Sequence, residues 1–169
     1  MTTSANLYSL SVREPRSLLF AAMFIIGNIL LPQVCHLVPQ GGLILLPIYF
    51  FTLVGAYKYG WQVGLLTALL SPIVNSLLFG MPPTTALPAI TVKSVLLALA
   101  AGFTASRYKK VSIPLLLAVV LFYQVVGSGI ESLMNGSLAD GFQDFRIGIP
   151  GMLLQVVGGY FFIKYVTTK

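Results

Sequence analysis

Ionisable side chains are missing from long stretches of this sequence, and this constrains the fold more than any other feature. Between Ser17 and Tyr57 there is no Asp, Glu, Lys or Arg. An ionised side chain is costly at the centre of a bilayer, so apolar stretches of about 20 residues without charge predict membrane-spanning helices. The whole chain is 57% hydrophobic and 8% charged, which leaves too few polar side chains to cover a water-exposed surface. We therefore predict an all-α integral membrane protein.

Helix-breaking residues divide the apolar sequence into six predicted spans. Two prolines and a Gly-Gly pair between Pro32 and Gly42 separate the first two spans, and the run GMPP at 80–83 ends the third. The predicted spans cover approximately residues 17–31, 43–57, 61–79, 87–106, 113–134 and 146–165, and a predicted turn from Lys58 to Gly60 leads into the third span. Residues 1–16 are a predicted cytoplasmic segment, and residues 17–166 form a single transmembrane domain.

Basic residues predict the orientation of these spans. When the six spans alternate across a bilayer, eight cations fall on one side: Arg13, Arg16, Lys58, Arg107, Lys109, Lys110, Lys164 and Lys169. The positive-inside tendency predicts that this side, with both termini, is cytoplasmic. The other side collects Asp140, Asp144 and Arg146. The net charge of +6 forms no basic stripe with aromatic residues, so it predicts topology and no nucleic-acid partner.

Polar residues within the spans must find a partner or a wet cavity, and most of them lie in the predicted outer half of the membrane. This set contains Asn75, Lys93, Glu131 and Arg146, with His36 in the first outer loop, whereas Gln124 and Gln155 fall nearer the midplane. Such an asymmetry is what a binding pocket that opens outward would need.

Lys93 is the strongest single candidate, and its role has two open interpretations. In a binding role, it is a cation for a ligand carboxylate or phosphate, or a partner that keeps Glu131 charged in the pocket wall. In a structural role, it forms an ion pair with Glu131 or snorkels toward headgroups. The two charges lie at similar predicted depth. His36 has no second metal ligand at helical spacing, so we expect it to cap a pocket with a hydrogen bond and to bind no metal.

Motifs for catalysis are missing from the sequence. It contains no Gly-x-Ser-x-Gly elbow, no His-Glu-x-x-His pair and no phosphate-binding Gly-x-x-x-x-Gly-Lys run. Of the four acidic residues only Glu131 falls within a span, so a mechanism with paired carboxylates has little to build on. We therefore predict that the protein is not an enzyme and has no cofactor.

Small residues recur at helical spacing in two spans. Gly55, Gly60, Gly64 and Ala68 predict close packing of the third span within the protein. Ser17 and Ala21 in the first span offer a small face that could serve an external membrane partner.

Several short stretches carry a family resemblance. These are HLVPQGG at 36–42, LLPIY at 45–49, GWQVGLL at 60–66, and Ser71-Pro72 followed by GMPP at 80–83. Together they resemble the substrate-binding S components of energy-coupling factor (ECF) transporters. The resemblance implies a six-helix protein of the bacterial cytoplasmic (inner) membrane that captures a vitamin or similar small micronutrient from outside. It also implies that a transmembrane coupling protein and ATPase subunits act as partners and supply the energy.

The predicted substrate-binding residues follow from this resemblance and from the intramembrane polar residues. They are His36, Tyr49, Asn75, Lys93, Glu131 and Arg146. Lys93 and Arg146 would neutralise an anionic or zwitterionic ligand, Asn75 and His36 would give directional hydrogen bonds, and Glu131 would orient Lys93 or accept a ligand donor.

Two other functions remain open at this point. One is a structural membrane subunit of a cell-shape or cell-wall assembly, which would need no occupied pocket. The other is a stand-alone carrier driven by an ion gradient, which would need no ATPase.

Overall fold

The computed structural model describes Leu7 and residues 14–166, and every regular element in that part of the chain is helical. Arg13 and Lys169, two of the predicted cytoplasmic cations, lie outside the described residues. Five helical segments are long and apolar enough to cross a membrane: Pro15–Cys35, Gly41–Tyr59, Trp61–Phe79, Leu87–Tyr108 and Ile113–Asn135. An all-α membrane fold is therefore confirmed, while the sixth span and the orientation stay predictions.

The first helix, α1 (Pro15–Cys35), is longer than predicted. We expected it to end at Leu31, before Pro32, but it continues for another turn with Pro32 inside the helix. The backbone N–H of His36 donates to the carbonyl of Pro32 at 2.9 Å. Proline is tolerated in membrane helices because neighbouring groups satisfy the backbone that it leaves unpaired.

The second spanning segment is broken near its middle. It consists of α2 (Gly41–Leu45), a 3₁₀ turn (Pro47–Tyr49) and α3 (Phe50–Tyr59), where we had predicted one helix. Leu46, between the first two pieces, has left-handed backbone angles of φ 47° and ψ 47°. A residue that precedes proline is disfavoured in the right-handed helical region, which explains why the break lies before Pro47. This segment is the most enclosed of the five, with 72% of its most apolar part buried.

The next three spanning helices are continuous. They are α4 (Trp61–Phe79), α5 (Leu87–Tyr108) and α6 (Ile113–Asn135). The bounds of α4 agree with the prediction, because Gly60 and Gly80 at its two ends have positive φ angles that favour glycine.

The chain after α6 is helical but divided. Two short helices, α7 (Leu138–Gly141) and α8 (Gln143–Ile147), precede α9 (Ile149–Leu153), a π-helical stretch (Leu154–Gly158), α10 (Gly159–Phe161) and a second π-helical stretch (Phe162–Val166). The predicted continuous helix from residue 146 is therefore wrong at its start. Pro150 fits only the first turn of a helix, and Gly148 accordingly acts as the N-cap of a new one.

Two contacts place the helix ends on two faces of the bundle. Phe20 of α1 stacks on Tyr59 of α3 with ring centroids 4.0 Å apart. The hydroxyl of Tyr57 donates to the carbonyl of Lys110, before α6, at 2.8 Å. These contacts gather Arg16, Lys58, Arg107, Lys109 and Lys110 at what we call the basic end. The other face, where α1 ends and α5 begins, is called the opposite end.

Two predictions at the basic end need correction. Lys58 was expected in a turn, but α3 continues to Tyr59 and Lys58 is fully buried in its last turn. Ser17 and Ala21 were expected to offer a face to an external partner, but both are buried within the protein because α1 turns this face toward α3 and α4. Small residues do mediate packing inside the bundle, since a side chain at Gly64 would collide with Ala56 of α3.

Candidate binding site

A buried ion pair joins α5 to α6 near the opposite end of the bundle. Lys93 lies in the second turn of α5, and its Nζ is 2.5 Å from Oε2 of Glu131 on α6. The side chain of Lys93 is 1% exposed and that of Glu131 is 16% exposed. The sequence placed both residues at similar depth, and the structure brings them into contact.

Gly127 makes this contact possible. It precedes Glu131 by four residues, so both lie on one face of α6. A Cβ atom at Gly127 would fall 2.5 Å from Cγ of Lys93, closer than real Cβ atoms approach another carbon. The glycine therefore leaves the space in which the lysine stem crosses α6 and reaches the carboxylate one turn further along.

The pair has no net charge. Removing two ions from water costs several kcal/mol for each, roughly offset by their mutual attraction when the contact is close. Because Glu131 already balances Lys93, the ammonium is not available as an isolated cation for a ligand anion. Of the interpretations that the sequence left open, those in which Lys93 pairs with Glu131 agree with this contact, and a lysine that snorkels toward headgroups does not.

A stripe of buried polar side chains continues along α6 beside the ion pair. Gln124 and Ser128 are fully buried, and Ser132 is nearly so. The hydroxyl of Ser132 donates to the carbonyl of Ser128 at 2.8 Å. Among the residues that the structure describes, neither amide atom of Gln124 has a hydrogen-bond partner, and neither do the hydroxyls of Ser128 and of Ser94 on α5. Each buried polar group without a partner costs about 1–3 kcal/mol, so this stripe is a costly feature of the interior.

Tyr49 lies beside this stripe at the broken spanning segment. Its ring contacts the ring of Tyr123 on α6, with centroids 5.2 Å apart. The hydroxyl of Tyr123 donates to Oε1 of Gln155 at 2.9 Å, and Nε2 of Gln155 donates to the carbonyl of Leu46 at 3.5 Å. Gln155 therefore binds a backbone group at the helix break and connects it to α6.

Asn75 belongs to a different contact, between α1 and α4. It is 1% exposed, and its Oδ1 accepts a hydrogen bond from Nε2 of Gln33 at 3.2 Å. About one turn deeper, Nδ2 of Asn28 lies 3.0 Å from Oγ1 of Thr52 and 3.3 Å from Oγ of Ser71. Asn28 was not among the predicted site residues, although an asparagine inside an apolar helix is a signal that could have found it.

His36 and Arg146 lie at the opposite end and are exposed. His36 follows α1, and its ring lies over Gly42, where a Cβ atom would fall 2.6 Å from Nε2. Arg146 lies in α8, which packs against α6. Of the six predicted residues, the structure therefore brings Lys93 and Glu131 into contact. Tyr49 packs against α6, and Asn75 contacts α1. His36 and Arg146 lie on the surface.

Comparisons with known proteins give no further guidance. No protein-family model, no curated protein and no solved structure matches the chain significantly. In the described part of the chain, no three His, Cys, Asp or Glu side chains lie together in a way that could hold a metal ion. The arrangement that remains is a polar interior with one ion pair between α5 and α6.

Proposed function

We propose that this chain is the substrate-binding S component of an ECF-type importer, which captures a vitamin or a similar small micronutrient from outside the cell. The observation that carries this proposal is the buried ion pair of Lys93 and Glu131 between two membrane-spanning helices. Ionisable groups inside spans are costly and generally serve a substrate or an ion pathway. The resemblance of residues 36–83 to S components supplies the class of transporter.

The proposed site lies at the opposite end of the bundle. Lys93 and Glu131 form its floor, with Tyr49 at the helix break and Asn75 near α1 as further binding residues. His36 and Arg146, both exposed at that end, would contact the ligand as it approaches. This division into an interior and a rim agrees with a pocket that receives its ligand from one side of the membrane.

The proposed topology has six spans and cytoplasmic termini, in a bacterial cytoplasmic membrane. The sixth span would be the helical stretch from Ile149 to Val166, which runs parallel to the second spanning segment. Gly151 packs against the backbone of Leu45, and Gly159 lies next to Leu53 further along. This direction leads Lys164 toward the basic end, which supports a cytoplasmic C-terminus under the positive-inside tendency.

The proposed partners are a transmembrane coupling protein and two ATPases, as the resemblance implies. One outward face of α1 supports a contact of this kind, because it exposes large apolar side chains along its length: Leu19, Met23, Ile26, Leu30 and Val34. Such a face suits lipid tails or an apolar helix of another membrane protein.

Identification of a ligand that is purified with the protein tests the proposal. The chain is purified from bacterial membranes in a mild detergent and denatured, and the released small molecules are identified by mass spectrometry. A second membrane protein purified from the same cells gives the background. We expect one micronutrient in near-stoichiometric amount.

Two results would favour the other functions. A ligand-free protein that is purified with cell-shape proteins would favour the structural role. Uptake of the ligand into vesicles that contain this chain alone would favour a gradient-driven carrier.

A further inference from the structure

An open groove lies between the first turn of α4 and the second half of α5, near the basic end of the bundle. It has a volume of about 390 Å³, and we call it the α4–α5 groove. Its lining consists of Trp61, Leu99, Gly102, Phe103 and Ser106. The volume falls within the range of about 300–1,000 Å³ that is typical of ligand pockets. Because Trp61, Leu99 and Phe103 are exposed, the groove opens on the outer surface of the bundle.

Gly102 brings the two helices together at the base of this groove. A Cβ atom at Gly102 would fall 2.5 Å from Cβ and 2.7 Å from Cα of Trp61, so the start of α4 lies directly against α5. Trp61 nevertheless remains 46% exposed. Its indole therefore forms a wall of the groove instead of filling the space between the helices.

The α4–α5 groove extends from the headgroup level into the hydrocarbon of the membrane. Trp61 and Tyr108 are both exposed at this end, and these two residue types prefer the interface between membrane and water. Arg107 lies in the last turn of α5. With a rise of about 1.5 Å per residue, Phe103 lies about 6 Å and Leu99 about 12 Å deeper than Arg107. The apolar wall therefore follows the direction of a lipid tail.

The interfacial end of the groove carries positive charge. Arg107 follows Phe103 by four residues, so both lie on one face of α5, and Lys109 and Lys110 come directly after the helix. All three cations are exposed, and within the described part of the chain no ion pair engages them. Ser106 already donates to the carbonyl of Phe103 at 2.8 Å. Arg107 is therefore the side chain best placed to bind an anion beside the groove.

We propose that the α4–α5 groove binds an anionic phospholipid from the leaflet at the basic end. One acyl chain lies against Trp61, Phe103 and Leu99, and the phosphate accepts hydrogen bonds from the guanidinium of Arg107. Basic pockets between membrane-spanning helices bind anionic headgroups, and a guanidinium suits phosphate because it presents two parallel N–H donors. This lipid site is separate from the ion pair of Lys93 and Glu131, and it does not depend on the proposed transport function.

Lipid binding to the full chain, purified in a mild detergent, tests this inference. Two probes with identical dioleoyl chains are compared, phosphatidylglycerol and phosphatidylcholine, and bound lipid is measured by native mass spectrometry. Both headgroups contain phosphate, but only phosphatidylglycerol has a net negative charge. We expect native protein to bind phosphatidylglycerol about fivefold more tightly or better, because one cation near an anionic lipid surface contributes about this factor.

Two matched pairs of variants locate the lipid. Arg107→Gln should weaken the binding of phosphatidylglycerol by about fivefold, whereas Arg16→Gln, the same change at another exposed cation of the basic end, should not. Phe103→Ala should weaken both lipids alike, by about threefold or more, because they share the same chains. Phe122→Ala, at an exposed phenylalanine of α6, is its control and should leave both affinities unchanged. The ratio of the two affinities is taken within one preparation, so a fraction of unfolded protein does not affect it.

Three results would overturn the inference. The first is equal affinity of the native protein for the two lipids. The second is an equal loss in Arg107→Gln and Arg16→Gln, which would indicate a diffuse attraction by the whole basic end. The third is unchanged lipid binding in Phe103→Ala, which would place the acyl chain elsewhere and leave the groove to another occupant, such as a helix of a partner protein.

Discussion

Removal of one partner of the Lys93–Glu131 pair should destabilise the protein strongly, while removal of both should be much less harmful than the sum of the two. Glu131→Gln would leave an ammonium that is 1% exposed with no carboxylate beside it. Lys93→Met would leave a carboxylate that is 16% exposed. Because water reaches the glutamate more easily than the lysine, we expect Glu131→Gln to be the more damaging single variant.

The magnitude follows from the distance between the two charges. At 2.5 Å, unit charges attract each other by about 7 kcal/mol at an effective dielectric constant of about 20. The desolvation of both ions, several kcal/mol for each, offsets part of this attraction in the native protein. These values limit the loss, so each single variant should lower the free energy of unfolding by about 3–5 kcal/mol.

A double-mutant cycle measures this coupling. Native protein, the two single variants and the Lys93→Met/Glu131→Gln double variant are unfolded in mild detergent and followed by circular dichroism at 222 nm. We expect a coupling free energy of about 3 kcal/mol, at the upper end for residues in contact. Single losses below about 1 kcal/mol that simply add in the double variant would refute the claim that this pair is formed and buried.

Three further substitutions probe the packing and the hydrogen bonds, each by thermal unfolding in the same detergent. Gly127→Ala places a Cβ where the stem of Lys93 crosses α6 and should cost about 1–3 kcal/mol, and native stability would show that the lysine takes another path. Asn28→Ala removes the hydrogen bonds to two hydroxyls on α3 and α4 and the acceptor of the Phe51 N–H, and should cost about 2–3 kcal/mol, so a loss near zero would contradict that network. Tyr57→Phe removes the hydrogen bond to the carbonyl of Lys110 and should cost about 1 kcal/mol, and an unchanged melting temperature would place that loop elsewhere.

The positions of most helices follow from the sequence, because charge and helix-breaking residues act locally. The stretch from Ser17 to Tyr57 contains no charge, and this alone requires apolar helices. Gly60 and Gly80 fix the ends of α4 locally, because each glycine has a positive φ angle that other residues avoid. Less local features were missed: α1 continues through Pro32, and the second span breaks at Leu46, because neighbouring helices decide whether a proline is tolerated.

In the candidate site, too, some features could be predicted from the sequence and others could not. The predicted depths of Lys93 and Glu131 in the membrane are similar, and this was enough to suggest that the two residues are neighbours. It could not show that Gly127 clears the path between them, or that Gln155 binds the carbonyl of Leu46 across the bundle. It also placed Lys58 in a turn, whereas the fold buries it.

By itself, the sequence determined that this chain is an all-α membrane protein and where most of its apolar helices lie. Each of these depends on the transfer of one residue at a time from water to an apolar medium, so they can be derived without knowing the neighbours. Only the tertiary structure decided which polar atoms are paired and which are not. Hydrogen bonds and ion pairs need a partner within about 3 Å and in the right direction, and those conditions are set by how the helices rotate and pack against each other.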